Sequence, residues 1–160
     1  MQTSAANTPT FPYHLAQQDE AITVVGIELR TTNLEAMQTI PPHWQRFGQE
    51  EVLAHIPAKL DGDVYAVYTH FENAGANNTG LYSLVIGAAV PASADVPAGM
   101  VRVVIPASRR AVFEVEPARF EQVGPTWVEI WGRTDLAKTF IAEFERYSAD
   151  GRIAISIGLQ

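Results

Sequence analysis

The segment Phe140-Ile-Ala-Glu-Phe-Glu-Arg-Tyr147 carries two carboxylates and a phenol at alternate positions. In an extended strand Phe140, Ala142 and Phe144 share one face, and Glu143, Glu145 and Tyr147 share the other. Such a face is turned either to solvent or into a polar cleft. In a cleft its chemistry is cation capture: a carboxylate about 4 Å from a positive charge gains roughly 4 kcal/mol of Coulomb energy at an effective dielectric of about 20, before desolvation is subtracted. Aromatic faces add roughly 0.5 to 2 kcal/mol each through cation–π attraction and offer apolar area to the body of the same ion. The aromatic residues placed to do so are Trp44, Tyr68, Tyr82, Phe113, Trp127, Trp131 and Tyr147. Trp44 and Trp127 equally fit plain helix-to-sheet packing, and Tyr68 with Tyr82 suits a cross-strand pair. Trp131, one turn beyond Trp127, falls near a helix end, where rings more often border an opening.

Other chemistries find no support. His14, His43, His55 and His70 are scattered without ligand spacing, so no metal site is expected. The lack of cysteine excludes thiol catalysis, disulfides and zinc thiolates. Gly80, Gly87 and Gly99 lack the spacing and lysine of a phosphate loop, and there is no Gly-x-Ser-x-Gly elbow. No cofactor is expected. Arg109-Arg110 reads as a solvated pair at a turn. Eighteen acidic against eleven basic residues give a charge of −7, the wrong sign for a direct nucleic-acid partner. No apolar run is long enough for a membrane span, and Met1 to Thr10 has neither a basic start nor an apolar stretch, so the expected setting is the cytoplasm.

The elements that must position these residues follow from periodicity. At 160 residues and 47% hydrophobic composition, one domain with a sizeable core is expected, with residues 1–19 as a loose lead-in. Ala21 to Leu29 alternates as a strand. Thr32 and Glu35 have capping-box spacing for one short turn, after which Pro42 is expected to open the main helix, running to about Ala54. Val64 to Phe71 and Leu81 to Val90 read as strands, and Pro91 to Gly99 as a link. Met100 to Ile105 and Arg110 to Glu116 are the next strands. A second helix carries Phe120, Val123, Trp127, Ile130 and Trp131, with Gly124-Pro125 either kinking it or marking its start. Phe140 to Tyr147 and Arg152 to Leu159 close the chain as a hairpin.

The order strand, helix, strand, strand thus occurs twice, over about 20–90 and 100–160. Both helices read Pro-x-Trp-x-x-apolar, at Pro42 and Pro125. Ala66 to Phe71 matches Ala142 to Tyr147, and Tyr82 to Gly87 matches Ile153 to Gly158. Two such units make an α+β fold: an antiparallel sheet with both main helices on one side and a pseudo-two-fold cleft between the halves.

Four stretches resemble the GyrI-like small-molecule-binding domains, found also as effector-binding domains of AraC-type and MerR-type regulators: Ile40 to Phe47; Tyr65 to Tyr68 with Gly80 to Gly87; Trp127 to Trp131; and Phe144-Glu145-Arg-Tyr147. The likeness is greatest to the integron-cassette branch that binds cationic drugs. It implies an acidic residue in an aromatic-lined cavity, a role that falls on Glu145. It implies a non-enzymatic module for amphipathic, cationic small molecules, in the service of drug sensing, sequestration or transcription regulation. No helix-turn-helix segment is seen, so a separate regulator protein is a possible partner. Two other readings stay open: a hydrolase of strained electrophiles using the pocket glutamate as base, with Tyr147 assisting, and a protein-interaction or inhibitor module.

Overall fold

The computed structural model describes residues 11–160; the first ten residues of the expected lead-in lie outside the described part. Strands β1 (Tyr13–Gln18), β2 (Ile22–Thr31), β3 (Val64–Thr69), β4 (Tyr82–Val90), β5 (Val101–Ile105), β6 (Ser108–Val115), β7 (Ala142–Tyr147) and β8 (Ile153–Leu159) form one sheet. Its order is β1-β6-β8-β7-β3-β4-β2-β5, antiparallel throughout. Helices α1 (Ala36–Gln49) and α2 (Val123–Gly132) pack on one side of it. The order reads as two three-stranded units, β2-β4-β3 and β7-β8-β6, meeting where β3 pairs β7, with β5 and β1 as matching outer strands. None of the helices among the described residues is long and apolar enough to cross a membrane.

The sheet is curled. Residues 19–21 and 106–107 each join a strand of one half to a strand of the other, and links so short span no more than roughly 14 Å. The outer strands therefore bend toward one another, and Gln18 Nε2 donates to the Ile105 carbonyl at 3.3 Å. The inner face of the curl is an apolar core of Val24, Tyr65, Val67, Val85, Val103 and Phe144. Arg110 belongs to this corner and is buried, not solvated as its place in a basic pair suggests. Its guanidinium donates to Gln18 Oε1 (2.8 Å) and to the carbonyls of Ala142 (2.7 Å) and Pro106 (3.2 Å), and it lies 5.3 Å from the Phe144 ring centroid. Burial brings its pKa down to about 10, with Glu143 opposing the shift.

Three further expectations need correction. The lead-in does not stay loose to residue 19: Tyr13–Gln18 is β1, held by pairing with β6 and by Tyr13 stacking on Phe113 at 5.0 Å. Pro42 does not open α1. The helix begins at Ala36, after Glu35 N–H donates to Thr32 Oγ1 at 3.2 Å, and continues through Pro41 and Pro42. Two ladder donors are lost there. Ile40, Trp44 and Phe47, packed on Ala66, Leu84 and Ile86, hold that face to the sheet across the gap. α1 also stops at Gln49, and Val52–His55 is a separate 3-10 turn after Glu51, whose φ is +51°. In α2, by contrast, Pro125 lies in the first turn, where its missing N–H has no intrahelical partner to lose.

The third correction concerns the repeat. Val67 and Phe144 both face the inner core, whereas Tyr68 and Glu145 both face the helices. The match between β3 and β7 is therefore one residue off the one read from the sequence: Tyr68 answers to Glu145 and Ala66 to Glu143. A slip of one residue exchanges the two faces of a strand.

Candidate functional site

A cavity of about 1240 Å³ lies between α1 and α2, with β3 and β7 as its floor. This exceeds the usual range of small-molecule pockets, which run to roughly 1,000 Å³. Period-two alternation aims Glu143, Glu145 and Tyr147 of β7 into it, beside Tyr68 of β3. Ala66 stands directly opposite Glu145 in the ladder, and its small side chain leaves room for the carboxyl. Among the described residues lining the cavity, Glu143 and Glu145 alone are charged; the remainder is dominated by aromatic and aliphatic side chains.

Glu145 is 2% exposed and takes three hydrogen bonds from three elements. Trp127 Nε1 of α2 and Tyr68 Oη of β3 donate to Oε2, at 2.6 and 2.9 Å. Tyr147 Oη donates to Oε1 at 2.6 Å. Burial pushes the Glu145 pKa up, and the three donors, Tyr147 first, pull it back. Burial followed by the neighbouring carboxylate raises the tyrosine pKa values: Tyr68 and Tyr147 well above the ordinary range, Tyr82 to about 12. All three phenols are thus neutral donors at physiological pH.

Glu143, 3% exposed, has a different environment. Its Oε2 is sealed from solvent and has no hydrogen-bond partner among the described residues. Burial raises its pKa to about 7, against the pull of Lys138 and Arg110.

The rings form the walls. Trp127 is edge-on to Tyr68 at 5.1 Å, and Tyr68 leads to Tyr82 at 5.8 Å, whose hydroxyl donates to Asn33 Oδ1 at 2.9 Å. Opposite, Trp44 is edge-on to Tyr147 at 5.3 Å, and Phe120 stacks on Tyr147 at 6.0 Å. Trp131 is 45% exposed at the mouth, 6.2 Å from Trp127.

Of the eight residues singled out in the sequence, Glu145, Tyr147, Trp127, Trp131, Tyr68, Tyr82 and Trp44 meet at this cavity. Phe113 does not. It is fully buried beneath the far side of α2 with Ile130 and Ile155, because β6 lies two strands away from β7. Sequence reasoning passed over Met37, Ile40, Phe71, Phe120 and Val128, which also line the cavity. Met37 and Phe120 carried a signal: large apolar side chains three residues before Ile40 and Val123, and seven before Trp44 and Trp127, so that each shares the face that lines the cavity.

The fold is shared with solved proteins. An integron cassette protein from the mobile metagenome of Vibrio cholerae, VCH_CASS2, is similar with a TM-score of 0.75 and 20% identity, over 92% of this chain and 95% of that one. SAV2435, solved bound to tetraphenylphosphonium, is similar with a TM-score of 0.75 and 23% identity, over 93% and 94%. No curated protein sequence matches the chain. The family model of Cass2, the integron-associated effector binding protein, matches residues 17–158, a span that takes in both helices and the whole cavity floor, and the chain belongs to that family.

Proposed function

We propose that this effector-binding protein takes up amphipathic organic cations between α1 and α2, with Glu145 as counter-charge and the rings of Trp44, Tyr68, Trp127, Trp131 and Tyr147 as walls, and releases them unchanged. The observation that carries this reading is a large cavity, lined chiefly by aromatic and aliphatic side chains, in which the only charged lining residues among those described are acidic. An ion bearing apolar groups satisfies both properties at once: its body buries area against the rings and its charge favours the ionised form of Glu145. The tetraphenylphosphonium held by SAV2435 is an ion of this type.

Because Glu145 already accepts three hydrogen bonds, it acts on the ion through its field and needs no donor from it. Titration with tetraphenylphosphonium, read by tryptophan fluorescence, tests the assignment. Glu145→Gln is expected to weaken binding by at least about tenfold, the equivalent of one modest charge interaction. Equal affinity in the two proteins removes the anchor. A hydrolase reading, with Glu145 as base beside the Tyr147 hydroxyl, rests on the raised pKa of this carboxyl. The three donors that hold its oxygens lower its basicity, which favours binding over turnover. Product formation from a strained electrophile, lost in Glu145→Gln, would reverse that preference.

A further inference from the structure

Two carboxylates face one cavity from positions two apart on β7, and their surroundings are opposite. Glu145 has every nearby donor. Tyr68, the residue directly across the ladder from Glu143, turns its hydroxyl to Glu145 instead. The cations near Glu143 are also engaged elsewhere: Lys138 Nζ donates to the Arg133 carbonyl, and Arg110 spends its guanidinium on Gln18, Ala142 and Pro106. Among the described residues no side chain donates to the Glu143 carboxyl, whose Oε2 is buried and unpartnered in a residue that lines the cavity. Buried polar atoms are nearly always paired, and a carboxyl left without a donor at the wall of a cavity is a place for a donor that arrives with a ligand.

We propose that Glu143 is a second ligand-binding carboxylate, which accepts an N–H hydrogen bond from a protonated amine or amidinium group of the bound cation. The inference rests on the cation-binding reading of the cavity and adds a division of labour to it. Glu145, saturated by protein donors, suits any cation, including quaternary and phosphonium ions that have no N–H. Glu143 discriminates among cations, favouring those that can donate. The groups that bear on its protonation are Lys138 and Arg110, which favour the carboxylate; Glu145 on the same face of β7, which disfavours it; and Tyr68 across on β3, a neutral phenol. With a pKa held up to about 7 by burial, Glu143 is part-protonated at neutral pH, so an ammonium ion that binds there expels a proton.

The test compares two ions of one skeleton, diphenylpropylammonium and its N-trimethyl analogue, by calorimetry on the full chain near neutral pH. The wild type is expected to bind both. Glu143→Gln is expected to weaken the primary ammonium by at least about tenfold and the trimethyl ion by less than about threefold, as loss of one charge-assisted hydrogen bond requires. Retained binding of the trimethyl ion certifies that the variant is folded; if it does not fold, Glu143→Met carries the same comparison. Glu145→Gln is expected to weaken both ions. Repeating the wild-type titration in buffers of different ionisation enthalpy is expected to show proton release with the primary ammonium. Equal losses for the two ions, no loss for either, or no proton release overturns the Glu143 site while leaving Glu145 standing. If neither ion binds the wild type, the cation reading itself falls and the Glu143 site falls with it.

Discussion

In the first half of the molecule β3 presents Tyr68 to the cavity and turns Ala66, on the same face, into the packing under α1; in the second, β7 presents Glu145 and Glu143 from the matching positions. The helices differ in the same manner. Trp44 of α1 packs on Phe47 and Tyr147, whereas Trp127 of α2 gives its indole N–H to Glu145. One turn further on, α1 has Gly48 where α2 has Trp131. Duplication thus accounts for the shape of the cleft, and its chemistry comes from the residues that break the symmetry. The second half supplies the acceptors. The first supplies space, through Ala66, and a donor, through Tyr68. A symmetric pair of halves would place either four carboxylates or none around the ligand, and neither arrangement suits a single cation.

The largest difference between the halves is expected in the backbone that supports them. Gly26 and Gly87 face each other where β2 crosses β4, and a Cβ on Gly87 would lie 1.9 Å from the Val25 carbonyl oxygen. At the equivalent Gly158 the nearest atom is the Thr139 hydroxyl at 2.7 Å, the end of a side chain that can rotate away. Gly87→Ala is expected to destabilise by more than about 3 kcal/mol and Gly158→Ala by about 1, since only the first must move paired backbone. Urea denaturation of the two variants measures this, and equal losses would show the two strand crossings to be alike.

Next in size is a pH effect that the first half, with Ala66 at the position of Glu143, lacks. The folded pKa of Glu143 is raised from an ordinary 4.5 to about 7. Below 4.5 the carboxyl is protonated both folded and unfolded, and this group's contribution to stability is greatest. Between the two values the unfolded chain ionises first, so stability falls as pH rises, by on the order of 3 kcal/mol in all, and stays low above 7. Glu143→Gln is expected to remove this part of the slope. Denaturation midpoints taken across that range decide it: a variant with the same slope as the wild type would show that the carboxyl is not held in its neutral form.

The tryptophans of the two helices sharpen the contrast. Trp127→Phe keeps a ring but deletes a hydrogen bond to a buried acid, a loss of about 1.5 to 3 kcal/mol. It also removes one of the donors that hold the Glu145 pKa down, so the pH below which cation affinity is lost moves upward. Trp44→Phe is expected to cost about 1 kcal/mol or less and to leave that pH unchanged. Matching pH profiles of tetraphenylphosphonium affinity for the two variants would remove the distinction.

Much of this asymmetry was visible in the sequence, but not all. Period-two spacing suffices to put Glu143, Glu145 and Tyr147 on one face, and strands with one buried face announce themselves by alternation. Strand β1 does not, because its side chains are nearly all exposed and only its backbone is satisfied by pairing. Pro41-Pro42 suggested a helix start by a sound local rule, overruled by tertiary packing of Ile40, Trp44 and Phe47. The repeat was misaligned by one residue across β3 and β7 because faces are fixed by pairing, which a single strand does not reveal. Which glutamate is saturated and which is bare was likewise illegible. The donors reach Glu145 from 18 and 77 residues away, and the sheet order that brings them there also puts Phe113 out of reach.

The smallest expected change in stability, and the most selective in function, lies at the rim, where Trp131 and Gly48 occupy equivalent places. Trp131 is 45% exposed and touches Trp127 from outside, so it contributes little to the core. Trp131→Ala is expected to alter stability by less than about 1 kcal/mol. A bound ion, however, would lose one ring face and the apolar area that goes with it, for an affinity decrease of roughly three- to tenfold. Because the ring carries no formal charge and no bond to Glu145, the decrease should be the same at every pH at which the ion binds. Calorimetric titration of tetraphenylphosphonium at two pH values, with melting curves alongside, separates this outcome from a structural one. Unchanged affinity would mean that the second half's extra tryptophan shields the cavity floor without touching the ligand, and that the chemical asymmetry of the two halves ends at Trp127.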